Sequence, residues 1–236
     1  MDHHRLLLTG PDGPVPADEV IPDAVVRGAL IVVQEAFGVN EHIIDVCRRF
    51  ATAGYWAIAP HLFHREGVNT IPYQIELALP QLAALTADGI RADLDASRRH
   101  LEAQGFAMSA TGIVGFCMGG SIALIAASEE PYGAAVTFYG RGIVGGRFGF
   151  RPLGELAPKL LSPWLGLYGD LDPSIPVDEV EALRVAAAAA QVPTMVVRYA
   201  EAGHGFHCDA RPDVYHEGAA QDAWTKTLDW FARYLS

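Results

Sequence analysis

Cysteine is scarce and odd in number, with Cys47, Cys117 and Cys208 the whole complement of 236 residues. Three cysteines do not make a disulfide framework, and a reducing compartment suits a working thiol. Positive charge is also short. Seventeen Lys and Arg face 28 Asp and Glu, a formal net charge of -11. No basic stripe or arginine-rich arm is present, which argues against a nucleic-acid partner. A negative surface gives no general steering to an anionic ligand, so any acid group on a substrate would need local cations. Long apolar runs are missing as well. The first residues hold only the leucine run Leu6–Leu8 before Thr9-Gly10-Pro11, too short for a signal-peptide core, and no stretch could span a bilayer. The expectation is a cytoplasmic protein with no membrane partner. Rossmann and P-loop glycine patterns are absent, so no nucleotide cofactor is expected. His61 with His64, and His207 with Cys208 beside His204, fit no recognised ligand spacing. The sequence therefore predicts neither a metal nor any other cofactor.

What is present is an apolar chain without low-complexity tracts, repeats or a linker. Half its residues are hydrophobic, enough for one substantial α/β domain over residues 1–236. Residues 5–27, broken by Pro11, Pro14, Pro16 and Pro22, read as one or two short edge strands. Ala29–Gln34 is a continuous apolar run, typical of a strand covered on both faces. Asn40 then caps a helix to about Ala53, whose Ile43, Ile44, Cys47 and Phe50 follow a period near 3.6. Further strands are predicted at 55–60, 111–115, 132–139, 163–168 and 194–199. Helices are predicted at 90–104, 121–128, 177–190 and 213–235. Residues 61–90 read as a compact, lid-like excursion. Strands alternating with helices imply a mostly parallel sheet with helices on both faces.

The most informative stretch is Ile113-Val114-Gly115-Phe116-Cys117-Met118-Gly119-Gly120-Ser121. A β-branched strand ends in Gly-x-Cys-x-Gly-Gly and a small-residue helix begins at once, the layout of a nucleophile elbow with cysteine at its tip. At a helix N-terminus, exposed N–H groups and the dipole favour a thiolate and can hold an oxyanion. The other polar candidates also fall in loops directly after strands, which share the carboxyl rim of a parallel sheet. Asp170 and Asp172 follow one strand. The spacing Gly169-x-x-Asp172 with Pro176 beyond selects Asp172 as the acid, and Asp170 suits a turn. His204 follows the next strand, between Gly203 and Gly205. A histidine can exchange a proton with the thiol and later protonate a leaving group, while a carboxylate fixes its tautomer.

The order nucleophile, acid, histidine is that of the α/β-hydrolases, and the chain resembles the dienelactone hydrolases within that superfamily. The resemblance runs from Val32 to the C-terminal helix. It rests on Gln34-Glu35-Ala36-Phe37-Gly38-Val39-Asn40, on Gly54-Tyr55-x-Ala57-x-Ala59-Pro60, and on Gly115-Phe116-Cys117-Met118-Gly119-Gly120. Tyr139-Gly140, Gly169-x-x-Asp172 and Ala202-Gly203-His204-Gly205-Phe206 complete it. It implies an α/β-hydrolase fold and a catalytic triad of Cys117, Asp172 and His204. Glu35 would keep the resting thiol neutral and assist thiolate formation when substrate arrives. The backbone N–H groups of Met118 and Ala36 would form the oxyanion hole, and Tyr139 would lie at the site. The chain departs from the family where arginines hold a substrate carboxylate. Four residues after His204 stands Cys208, and Arg65 is the only arginine between 61 and 90. Arg141 is the candidate for a cation from another direction.

The expected activity is therefore carboxylic-ester hydrolysis of a lactone or activated ester through a thioester, by a monomer or homodimer acting on a small molecule. One alternative keeps the hydrolase but broadens it to other lactones and small esters. Another, from a different class, is a non-catalytic ligand-binding or thiol-redox protein on the same scaffold.

Overall fold

The structure is a computed structural model that describes residues 1–235. It opens with two nine-residue strands, β1 (Asp2–Gly10) and β2 (Gly13–Ile21), paired antiparallel as a hairpin. These are longer than the short edge strands expected, because Pro14 and Pro16 are absorbed within the pairing, opposite Thr9 and Leu7. β3 (Gly28–Val33) is buried at every position, and α1 (Glu41–Thr52) follows it. The Asn40 side chain accepts a hydrogen bond from the Ile43 N–H at 3.2 Å and so caps that helix. β4 (Tyr55–Pro60) comes next, then α2 (Ile75–Ala84) and α3 (Ala87–Ala103).

The second half alternates regularly. β5 (Thr111–Phe116), α4 (Met118–Glu129), β6 (Ala134–Phe138) and the short α5 (Leu153–Leu156) come first. β7 (Trp164–Gly169), α6 (Val177–Ala187), β8 (Thr194–Tyr199) and α7 (Glu217–Tyr234) close the chain. The eight strands form one sheet in the order β1-β2-β4-β3-β5-β6-β7-β8, parallel from β4 to β8. β2 joins β4 antiparallel.

Two glycines of β5 identify the two covered faces. A Cβ on Gly112 would meet Phe231 of α7, and a Cβ on Gly115 would meet Gly119 of α4. Residues three apart on a strand point to opposite sides. α7 therefore covers one face, joined by α1 through Phe50 against Trp224 at 4.5 Å between ring centroids. α4 covers the other, tied to α3 by Arg91 and Glu129.

Several boundaries moved. The helix after the elbow starts at Met118, not Ser121, so its first turn begins directly behind the cysteine. The last helix starts at Glu217 rather than Asp213, because the His216 side chain accepts from the Ala219 N–H at 3.2 Å and caps it there. The lid-like segment divides into a strap and a helix. Thr70 bridges to Gly38, and the Ile71 N–H donates to the Phe37 carbonyl at 3.0 Å, fastening the strap to the turn that follows β3. In α2 only Ala78 is buried. Among the described residues no helix is long and apolar enough to cross a membrane.

Candidate active site

The elbow forms because its neighbours have no side chains. Cys117 stands between β5 and α4 at φ 55°, ψ -115°, an uncommon conformation for a residue with a side chain. A Cβ on Gly115 would lie 1.9 Å from the Gly119 carbonyl oxygen, and one on Gly119 would lie 2.3 Å from that of Val33. Both are backbone collisions that no rotamer change relieves. The Cys117 N–H donates to the Phe138 carbonyl at 3.1 Å, which holds the turn against the next strand.

The loops after β7 and β8 bring Asp172 and His204 together. His204 Nδ1 lies 2.5 Å from Asp172 Oδ2. The other carboxylate oxygen accepts from the Ser174 N–H at 2.8 Å and the Ser174 hydroxyl at 2.6 Å. Asp172 is thus aimed by its own loop, and these bonds overcome its burial to hold its pKa below the usual carboxylate value. Asp170 is engaged elsewhere, in a two-bond pair with Arg198 at 2.7 and 2.8 Å. The structure brings Asp172, and not Asp170, to His204.

Cys117 and His204 are a coupled pair. Burial pushes the Cys117 thiol up, but the charge and hydrogen bond of His204 override it, aided by the Met118 N–H, and the pKa falls below the ordinary thiol value. Burial opposes charge on His204 too, yet Cys117 and Asp172 lift it to about 10. The pair therefore leans toward thiolate and imidazolium. Glu35 is the counterweight. It is buried in the turn after β3, its burial favours the neutral acid, and its charge opposes a thiolate at Cys117. Its hydrogen bond comes from Cys208, Sγ to Oε1 3.9 Å. The same sulfur lies 3.9 Å from the Tyr73 hydroxyl.

Tyr139 is fully buried at φ 40°, its ring centroid 5.1 Å from that of His204. Among the described residues its hydroxyl has no hydrogen-bond partner, an unusual state for a core tyrosine. Ala36 lies next to Glu35 in the turn that Gly38 closes on the Glu35 carbonyl at 3.2 Å.

The cations fall differently from the sequence reading. Arg141 is exposed, and the cation of its loop that acts on Cys117 is Arg147. The loop is shaped around that side chain, since a Cβ on Gly142 would lie 2.9 Å from Arg147 Cγ. Arg211 lies over the rings of Phe37 and Tyr73, 5.4 and 5.6 Å from their centroids, and its charge reaches Glu35 and Tyr139. Neither side chain makes an ion pair among the described residues, whereas Arg65 is spent on buried Asp93 at 2.8 and 3.0 Å. Arg147 and Arg211 sit at no diagnostic spacing from the elbow or from His204. Folding alone brings their charges to Cys117 and Glu35.

The other histidines weighed as metal ligands have packed or paired places. His61 lies 2.6 Å from Asp18, and His64 lies 3.1 Å from Asp93. His207 is buried among Phe116, Phe138 and Trp224.

Comparison with known proteins identifies the family. A family model described as the dienelactone hydrolase family matches residues 16–235. A Salmonella typhimurium protein provisionally named a carboxymethylenebutenolidase is 44% identical over 209 residues, 87% of this chain and 77% of that one. A carboxymethylenebutenolidase of Rhodococcus opacus is 29% identical over 94% of this chain and 88% of its own. Among solved structures, a Klebsiella pneumoniae protein provisionally named a dienelactone hydrolase superposes with a TM-score of 0.87 at 36% identity, covering 99% of both chains. An acylaminoacyl peptidase of Pyrococcus horikoshii, at 14% identity, covers 99% of this chain and 42% of its own with a TM-score of 0.76, a likeness of fold alone.

Proposed function

The chain belongs to the dienelactone hydrolase family, and from that premise we propose that it is a cysteine-dependent carboxylic-ester hydrolase acting on lactones or activated esters. The observation that carries the reading is Cys117 at the elbow, coupled to a His204 that Asp172 holds at 2.5 Å. The Cys117 sulfur attacks the carbonyl carbon and forms a C–S bond. The backbone N–H groups of Met118 and Ala36 receive the oxyanion. Collapse breaks the acyl C–O bond, and the departing oxygen takes its proton from the His204 imidazolium. His204, now neutral, deprotonates a water that attacks the thioester, and the thiolate leaves. The product acid ionises, so the site is restored and one proton is released. A thiolate is a better leaving group than an alkoxide, which biases the site toward lactones and aryl or enol esters. Neutral alkyl esters fit it less well.

Arg147 and Arg211 support a substrate that carries a carboxylate, with Tyr139 offering its unpartnered hydroxyl nearby. A broader range of lactones and small esters is the second reading. It is favoured by Cys208, which stands four residues after His204 where the dienelactone hydrolases that the chain resembles hold the substrate with arginine. A cytoplasmic site of action fits a working thiol.

The test is a panel of carboxylated lactones, neutral lactones and aryl esters, assayed with the wild type and Cys117→Ser. Hydrolysis that falls by about 10²-fold or more in the variant supports the thiolate. A higher kcat/KM for carboxylated substrates identifies the narrower class. Undiminished hydrolysis by Cys117→Ser would reject the nucleophile, and ligand binding without turnover would favour the non-catalytic alternative.

A further inference from the structure

A cavity of about 160 Å³ lies between α3 and α4, and none of the residues used in the steps of hydrolysis lines it. Its walls are apolar. Ile90 and Leu94 of α3, Ile122 and Ile125 of α4, and Phe150 of the loop before α5 line it, each of them 8 % exposed or less. The space is close to the ~150 Å³ of an engineered apolar cavity that takes up benzene, so a single aromatic ring fits.

The mouth is polar, and most of it is already paired. Arg91 bonds Glu129 twice, at 2.9 and 2.6 Å, and its guanidinium lies 4.7 Å from the centre of the Phe150 ring. Arg98 is bonded to Asp95 at 2.6 Å and to Glu102 at 3.1 Å. Two groups are left over. Tyr132 is 4 % exposed, and among the described residues its hydroxyl makes no hydrogen bond, a costly state for a buried phenol. The charges that act on this hydroxyl are those of Glu130, Arg98, Asp95 and Glu129, all of which line the same cavity. It therefore stands at the mouth, and burial keeps it protonated, a donor. The other group is the Glu130 carboxylate, an acceptor that has no partner among the described residues.

These two groups select the ligand. An ammonium has no lone pair for the Tyr132 proton. A carboxylate is repelled by Glu130, and the mouth as a whole sets Arg91 and Arg98 against Asp95, Glu129 and Glu130. A neutral hydroxyl both accepts and donates. We propose that the cavity is a second small-molecule site, for a neutral monocyclic ring that carries a hydroxyl. The ring lies against Ile122, Ile125 and Phe150, while the hydroxyl accepts from Tyr132 and donates to Glu130. The site does not depend on Cys117 being a nucleophile.

The experiment titrates the full chain with para-fluorophenol by fluorine NMR, after Cys117 has been alkylated with iodoacetamide to block the elbow. Para-fluorobenzoate and para-fluorobenzylamine are the charged arms. Para-fluorophenol should bind with a Kd of about 1 mM or tighter, the range open to a ligand of this size. The charged rings should bind weaker by about tenfold or more. Tyr132→Phe keeps the wall and removes the donor, and should weaken binding by about fivefold, the worth of one hydrogen bond. Glu130→Ala, at an exposed position, should weaken it similarly. Ala126→Leu fills the cavity from α4 and should abolish binding while Tm holds or rises. Where Ala126→Leu does not fold, the other two variants decide. No saturation by about 10 mM para-fluorophenol would overturn the proposal. So would unchanged affinity in Tyr132→Phe and Glu130→Ala, or tighter binding of either charged ring. Binding is read on a blocked elbow, so absent hydrolysis would reject the functional reading separately.

Discussion

The buried carboxyl of Glu35 takes its hydrogen bond from Cys208, Sγ to Oε1 3.9 Å, while Cys117 is engaged with His204. The resemblance implies a resting thiol that Glu35 keeps neutral. The geometry gives a different balance, in which His204 draws Cys117 toward the thiolate and Glu35 opposes it from a distance. Glu35→Gln is expected to lower the pH at which Cys117 becomes reactive. Alkylation half-points read this directly, and a shift toward alkaline pH would refute the counterweight role.

Asp172 sets both the tautomer and the charge of His204. Asp172→Asn is expected to lower kcat by roughly 10³-fold with a small change in KM. It also removes one of the groups that lift His204 to about 10. The alkaline limb of kcat/KM, which falls as pH rises through the macroscopic value of the pair, should then move to lower pH. A full pH–rate profile of both proteins checks this, and an unmoved alkaline limb would exclude the charge role.

The two unpaired cations should separate substrates by charge. Arg147→Gln and Arg211→Gln are each expected to raise KM for a carboxylated lactone by about tenfold, worth about 1.4 kcal/mol. For a neutral aryl ester they should change it little. Equal losses on both substrates would mean that the arginines support the loops and do not read the ligand.

The elbow glycines are predicted to tolerate nothing larger. Gly119→Ala places a Cβ 2.3 Å from the Val33 carbonyl oxygen, so β3 or α4 must shift. Destabilisation of about 3 kcal/mol or more is expected, seen as a lowered Tm or as insoluble protein. Gly67→Ala is the control, since that position has open space around it and only its positive φ opposes the change.

His207 should tie stability to acid pH. Burial holds its folded pKa at about 3, below the ordinary histidine value of 6.5. Its contribution is therefore complete above about pH 6.5 and is lost as pH falls from there toward 3, at up to about 1.4 kcal/mol per unit. His207→Phe keeps a ring among Phe116, Phe138 and Trp224 and should flatten that limb. Thermal melts at pH 7 and pH 4.5 measure it, and equal losses in both proteins would disprove the assignment.

Local signals made much of the site legible. The Gly-x-Cys-x-Gly-Gly pattern requires a strand-to-helix turn, and the order Cys117, Asp172, His204 assigns each residue to a loop on one rim. The apolar runs at β3, β5 and β7 read as covered strands because every position in them is buried. What escaped depended on distant partners. The antiparallel hairpin of β1 and β2 was masked by its prolines. The strap at Thr70 takes its form from backbone bonds to Phe37 and Gly38, which no local pattern announces. Arg147 and Arg211 stand out only once the fold sets their charges beside Cys117 and Glu35, and Arg141, favoured for its closeness in sequence to Tyr139, is exposed.

The central claim is that Cys117 carries the acyl group. The most direct measurement mixes the protein with an activated aryl ester, quenches within the first turnover, and maps the added mass by peptide. The account predicts one acyl group per active site, on the peptide containing Cys117, labile to hydroxylamine and absent from Cys117→Ala, which should also lose hydrolysis. Turnover of the same ester by Cys117→Ala at the wild-type rate, or an acyl group found on another residue, would contradict it.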